Sequence, residues 1–182
     1  MDRETALNLL ATHVRNKNLV KHSLACEAVL AALAQHFGEE EQSWRLAGLL
    51  HDLDYDQTAD LPDVHATITA KILEEAGVDA AIIHAVLAHN DKVPRESRLD
   101  KALWVVDPLT GLIVAAALIR PEKKLSAIDA QFVINRMKEK SFARGANRDQ
   151  IRACEAELGL PLEQFVDLGV KAMQGISGEL GL

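Results

Sequence analysis

Apolar residues recur three and four positions apart along almost the whole chain, the period of helices that bury one face. Ala6, Leu9, Leu10 and Val14 mark the first such face, and Asn16-Lys17-Asn18 interrupts it. A longer helix is predicted over residues 19–37, with Leu19, Val20, Leu24, Val29, Leu30 and Leu33 inward and Gly38 as its stop. A third, over residues 43–53, carries Trp44, Ala47 and Leu50. Residues 54–63 read as an acidic loop, and Pro62-Asp63 open a fourth helix over 64–76 that places His65 in its first turn. Asp79 caps a fifth over 80–89. Residues 99–118 are strongly apolar and contain Asp107-Pro108, where the missing proline N–H predicts a kink. Further helices are predicted over 125–140, with Ser126 and Asp129 in capping positions, over 149–158 and over 162–176. No segment alternates with period two and no repeat occurs, so the pattern predicts an all-α fold.

Composition agrees with that reading. Aromatic residues make up 4% and apolar residues 48% of the 182 positions, so a core must be built from Ala, Leu, Ile and Val. The length fits one domain spanning residues 1–182. A net charge of −7 disfavours nucleic acid and anionic membranes as partners. It leaves room for a small phosphorylated substrate if a bound metal reverses the local field. The most apolar run, residues 113–119, is too short for a bilayer span, and Met1-Asp2-Arg3-Glu4 does not open a signal peptide, so a cytoplasmic protein is expected. Cys26 and Cys154 share no metal-ligand spacing and read as reduced thiols.

Chemistry is concentrated where polar residues interrupt apolar helices. His51-Asp52 follows Gly48-Leu49-Leu50, and Leu53-Asp54-Tyr55-Asp56 come next. Imidazole and carboxylate side by side suit Fe, Mn or Zn better than Ca or Mg alone. An HD dipeptide by itself carries little weight. Asp107 adds to it, because a carboxylate within Ala102-Leu103-Trp104-Val105-Val106 needs a cation or several donors.

Taken together, His22 in Lys21-His22-Ser23, the pair His51-Asp52, and Asp107 in Val106-Asp107-Pro108-Leu109 resemble the HD-domain superfamily of metal-dependent phosphohydrolases. The likeness covers about residues 18–120 and rests on the order, spacing and helix placement of the four positions. It implies an HD-domain-like helical bundle on which residues 121–182 pack as an additional C-terminal helical segment. It also implies that His22, His51, Asp52 and Asp107 hold a divalent metal: Fe, Mn, Zn, Co or Ni, with Mg allowed. His65 and His89 match places where some members carry further histidines, for a second ion or for phosphate. Asp52 would then bridge two ions, with Asp54 or Asp56 orienting water. Asp52, Asp54, His65 and His89 are thus the expected catalytic set.

The implied activity is hydrolysis of a nucleotide or another small phosphoester by metal-activated water. A nucleotide-sensing module without catalysis and a di-iron oxygenase are the alternatives, and both a monomer and a homodimer fit. Neither Gly nor Lys follows the pair, which argues against cyclic-dinucleotide cleavage. Lys140, Arg144 and Arg148 lie in a basic stretch of an acidic chain. They are candidates to clamp phosphate, against the plainer reading of a solvated helix face.

Overall fold

Most of the longer helices start at a residue whose side chain accepts a free backbone N–H. Asp2 caps α1 (Arg3–His13), Asn16 caps α2 (Lys17–Phe37) and Glu40 caps α3 (Glu41–Leu50). Such caps are worth about 1 kcal/mol each. The short α4 (Tyr55–Thr58) and then α5 (Thr67–Glu75) follow without a side-chain cap. Asp79 caps α6 (Ala80–His89), and a Ser97–Asp100 capping box opens α7 (Arg98–Leu118). A 3₁₀ turn at Leu125–Ala127 leads to α8 (Ala130–Met137), capped by Asp129. Asn147 caps α9 (Arg148–Arg152), and α10 (Cys154–Leu158), α11 (Leu162–Gly175) and α12 (Ser177–Leu180) close the chain.

The structure is a computed structural model that describes residues 1–139 and 141–182. Among the described residues there is no strand, so the all-α expectation holds. Helices α2 and α7 form the centre: α3, α7 and α11 pack on α2, and α6 on α7. Leu30, Leu33, Leu49, Leu50, Leu103, Leu109, Leu112 and Phe165 are fully buried between them.

Several boundaries differ from the sequence reading, and the differences matter near His51-Asp52. α3 ends at Leu50, so the pair sits just past the helix rather than inside it. α5 begins at Thr67, and His65 occupies the turn before it. The next residue, Ala66, is buried with φ of 71°, a left-handed conformation that costs about 1 kcal/mol for a residue with a side chain. The stretch read as one acidic loop contains α4. The helix predicted over 125–140 starts only at Ala130, and the one over 149–158 breaks at Ala153.

Three packing features fix the frame. Gly48 lets α3 approach α2 closely: a Cβ there would lie 2.7 Å from the Cys26 carbonyl carbon and the Glu27 nitrogen. Glu27, buried on α2, receives Arg3 from α1 at 2.5 and 2.9 Å and Arg45 from α3 at 3.4 Å. Pro108 leaves α7 helical but removes one donor, and the freed carbonyl of Trp104 accepts from the Gln150 amide of α9. Contrary to the expectation from the short run 113–119, α7 is long and apolar enough to cross a bilayer by length and hydropathy alone. Here Leu99, Leu103, Val106, Leu109, Leu112 and Ile113 face neighbouring helices.

A candidate metal centre at the end of the third helix

The helix boundaries just described bring four histidines and two aspartates together. His51 and Asp52 come from the end of α3, His22 from the second turn of α2, His89 from the last residue of α6 and Asp107 from the middle of α7. His65 arrives from the turn before α5.

In every one of these imidazoles Nδ1 is engaged by an oxygen. His51 Nδ1 donates to the Gly48 carbonyl at 2.9 Å, and His89 Nδ1 donates to the Val86 carbonyl. His65 Nδ1 donates to Asp54 Oδ1 at 2.8 Å. His22 Nδ1 lies 3.0 Å from the Thr110 hydroxyl, which itself donates to the Asp107 carbonyl at 3.0 Å and therefore accepts from the ring. Such partners fix the ring and leave Nε2 as the coordinating nitrogen, the usual arrangement around metal-bound histidine.

The four Nε2 atoms form two pairs, His22–His51 and His65–His89, each 3.2 Å apart. Asp52 lies between the pairs. Its Oδ2 is 3.6 Å from His22 Nε2 and 3.4 Å from His51 Nε2, and its Oδ1 is 3.3 Å from His65 Nε2 and 3.6 Å from His89 Nε2. Asp107 Oδ1 joins the first pair, 3.1 Å from His22 and 3.9 Å from His51. Two nitrogens held at right angles on one ion, at bond lengths of about 2.0–2.1 Å, would be separated by about 3 Å. The spacing therefore fits a divalent ion at either pair, and Asp52 turns one oxygen toward each. Among the described residues, two groups have ligand atoms all within 4.8 Å of one another: His51, Asp52 and His89, and His22, Cys26 and His51.

The electrostatics match a cation site. Burial pushes the His51 imidazole down to about 4, so it is neutral and offers a lone pair. Burial opposes the charge on Asp52, but His51, His89 and His22 outweigh it and hold the carboxyl well below the usual carboxylate range. At Asp107 burial likewise loses to the neighbouring His22. Burial works against a charged His22, yet Cys26 and Asp107 raise its pKa well above the imidazole value. Asp107 is the effective cause, because burial pushes the Cys26 thiol up and keeps it neutral. His89 is raised too, its burial overcome by the hydrogen bond to Asp52. Without metal the centre thus holds protons where a cation would sit.

The remaining candidates separate cleanly. Asp54 is fully buried, and besides His65 it accepts from Thr58 and from the Thr69 backbone N–H. This corrects its expected role: it aims His65 rather than orienting water. Asp56, the other acid considered for that task, accepts from the backbone N–H groups of Arg15 and Asn16. Arg148 is no phosphate clamp, because its guanidinium donates to the carbonyls of Ala143 and Ala146 at 2.8 and 2.7 Å and to that of Phe142. Lys140 lies outside the described residues. Arg144 does line a cleft of about 530 Å³ above the centre, with His22, Asp52, Tyr55, His65 and Asp107 in its walls. His84 is apart, 3.1 Å from Asp100. Cys26 Sγ is nearly equidistant from the two His22 ring nitrogens, at 3.9 and 3.8 Å, so it lies along neither nitrogen's bonding direction and packs on the ring.

Thr110, Thr58, Thr69 and the carbonyls of Gly48 and Val86 carry no sequence signal for a metal centre. Their roles follow from where the helices place them.

Comparison with known proteins agrees with this architecture. The model of the HD domain family matches residues 19–139, and the chain belongs to that family. The family is a metal-dependent phosphohydrolase superfamily whose members bind divalent metals. Ribonuclease Y of Oleidesulfovibrio alaskensis is 32% identical over 96 residues, 53% of this chain and 18% of that protein. Ribonuclease Y of Syntrophobacter fumaroxidans is 32% identical over 95 residues, 52% of this chain and 18% of the relative. The protein of that name from Chloroflexus aurantiacus is 35% identical over 80 residues, covering 43% and 16%. The chain thus spans less than a fifth of the length of these curated relatives. No solved structure matches it.

Proposed function

We propose that the chain hydrolyses a nucleotide or another small phosphoester with two divalent ions held by His22, His51, Asp52 and Asp107 on one side and His65, His89 and Asp52 on the other. The observation that carries this reading is the Asp52 carboxylate, which presents one oxygen to each histidine pair. Ions bound there would supply Lewis acidity toward the phosphoryl oxygens and a lowered pKa for water. The protein's own part is positioning. Gly48, Val86, Asp54 and Thr110 lock the four rings, so the donors need no rearrangement when a cation and an anionic substrate arrive. Asp107, one-third exposed, and Arg144 border the open cleft. There the guanidinium favours a phosphate entering above the centre.

The likeness to Ribonuclease Y supports placing RNA phosphodiesters in the same substrate range. The charge of −7 favours short ones over long duplex or structured RNA.

Metal content of the purified protein, followed by a phosphoester panel with Mn, Fe, Co, Ni or Mg and including dinucleotides, tests the reading. Asp52→Ala is expected to lose both ions and all hydrolysis. Full metal content in both Asp52→Ala and Asp107→Ala would overturn the site. Metal-loaded wild type that cleaves no phosphoester would overturn the hydrolase, and oxygen consumption would move the chain to the oxygenases.

A further inference from the structure

A second cavity lies on the far side of His22 and is more apolar than the metal cleft. It encloses about 450 Å³ between Ala25, Gly111, Val114, Leu118, Leu180 and Leu182. His22 and Gly111 line both this cavity and the metal cleft, so the two spaces adjoin across α2 and α7. Asn18 and Lys21 form a polar rim where the cavity meets solvent. Leu118, on its wall, is among the large apolar side chains left exposed, at 47%.

Gly111 is the informative residue. It sits inside α7, where glycine costs about 1 kcal/mol relative to alanine. At Gly48 and Gly169 a packing reason is visible, because an added Cβ would meet neighbouring atoms at 2.7 and 3.0 Å. At Gly111 a Cβ would meet nothing within 4 Å. Helix packing therefore does not require the glycine. What its missing side chain provides is open space at the boundary of the two cavities.

We propose that this cavity is the subsite for the organic group of the phosphoester, that the group is an apolar ring or short alkyl body, and that Gly111 sets how large a group passes beside His22. The proposal rests on the phosphohydrolase reading of the metal centre. With phosphate above the metal donors, a group attached to it would cross Gly111 and exchange water for the leucine and valine walls.

The test compares binding of two non-hydrolysable probes, phenylphosphonate and methylphosphonate, to the Mn-loaded full chain by calorimetry or ligand-observed NMR. Wild type is expected to hold the phenyl compound at least about tenfold more tightly. Gly111→Leu, whose Cβ would meet nothing within 4 Å and whose side chain would take up the open space, should bring the two affinities together. Gly111→Ala should melt higher than wild type, showing that α7 tolerates a side chain there. Equal affinities in wild type, or a preference that survives Gly111→Leu, would overturn the subsite and leave the phosphoester reading standing. Binding of neither phosphonate would overturn both.

Discussion

At the scale of single residues, the atoms that would touch a metal are held by others that would not. Thr110 and Asp54 are the two clearest cases, because each engages the remote nitrogen of one histidine from opposite sides of the centre. Removing such a partner typically weakens metal binding 10–100-fold. Thr110→Val keeps the shape of the side chain but leaves His22 Nδ1 without its oxygen. It is expected to weaken the ion at the His22–His51 pair while sparing the other. Asp54→Ala should do the reverse through His65, at a further cost in stability because Thr58 and the Thr69 N–H lose their acceptor. Metal stoichiometry against free metal concentration separates the two. A parallel loss of both ions in both variants would contradict the division into two pairs. Arg148 shows the opposite lesson: a basic residue in a suggestive position is committed to its own loop's carbonyls.

At the scale of elements, the centre depends on where helices stop and how closely they approach. α3 ends one residue before the HD pair, which frees His51 and Asp52 to turn toward the donors of α2, α6 and α7. That approach needs Gly48, where a methyl group would sit 2.7 Å from the backbone of Cys26 and Glu27. Backbone cannot rotate away as a side chain can, so Gly48→Ala must push α3 off α2. A cost of about 1–3 kcal/mol is expected, read as a fall of several degrees in the melting temperature. The same displacement carries the Gly48 carbonyl that orients His51, so metal affinity should fall with stability. An unchanged melting temperature would show that the crossing is looser than the structure indicates. In α7 the proline also recruits a partner, since Gln150 takes the carbonyl that Pro108 leaves free. This ties α9 to the helix that carries Asp107 and keeps the 143–147 loop beside the cleft.

At the scale of the whole molecule, metal binding, protonation and stability are linked. His22 and His89 both have pKa values raised above that of free imidazole, by Asp107 and Asp52 against their burial. The metal-free protein therefore carries more protons near neutrality than the metal-loaded one, and cations must displace them. Raising the pH favours the loaded form, so affinity is expected to rise from about pH 6 to about pH 8 with measurable proton release. Calorimetry in buffers of different ionisation enthalpy checks the sign. A chelator should lower the melting temperature, and by more at the higher pH, because ligand bound only to the folded state stabilises it by mass action. A melting temperature indifferent to chelator would mean that the donors do not hold metal tightly.

The chain's own order of residues determined much of this protein. Its helical period announced an all-α fold, and Asp2, Asp79 and Asp129 cap helices in the structure. His22, His51-Asp52 and Asp107 were legible as a set because residue type and spacing along helices are local properties. His65 was placed in the first turn of its helix rather than in the turn before it, since Ala66 adopts a left-handed conformation that no propensity anticipates. Tertiary structure alone decided that Asp52 faces both histidine pairs, that Asp54 serves His65, and that Thr110 meets His22 from 88 residues away. Periodicity tells which face of a helix is buried. It does not tell which atom of another helix that face will meet, because that depends on how closely and at what angle the helices cross, and here on a glycine small enough to let them.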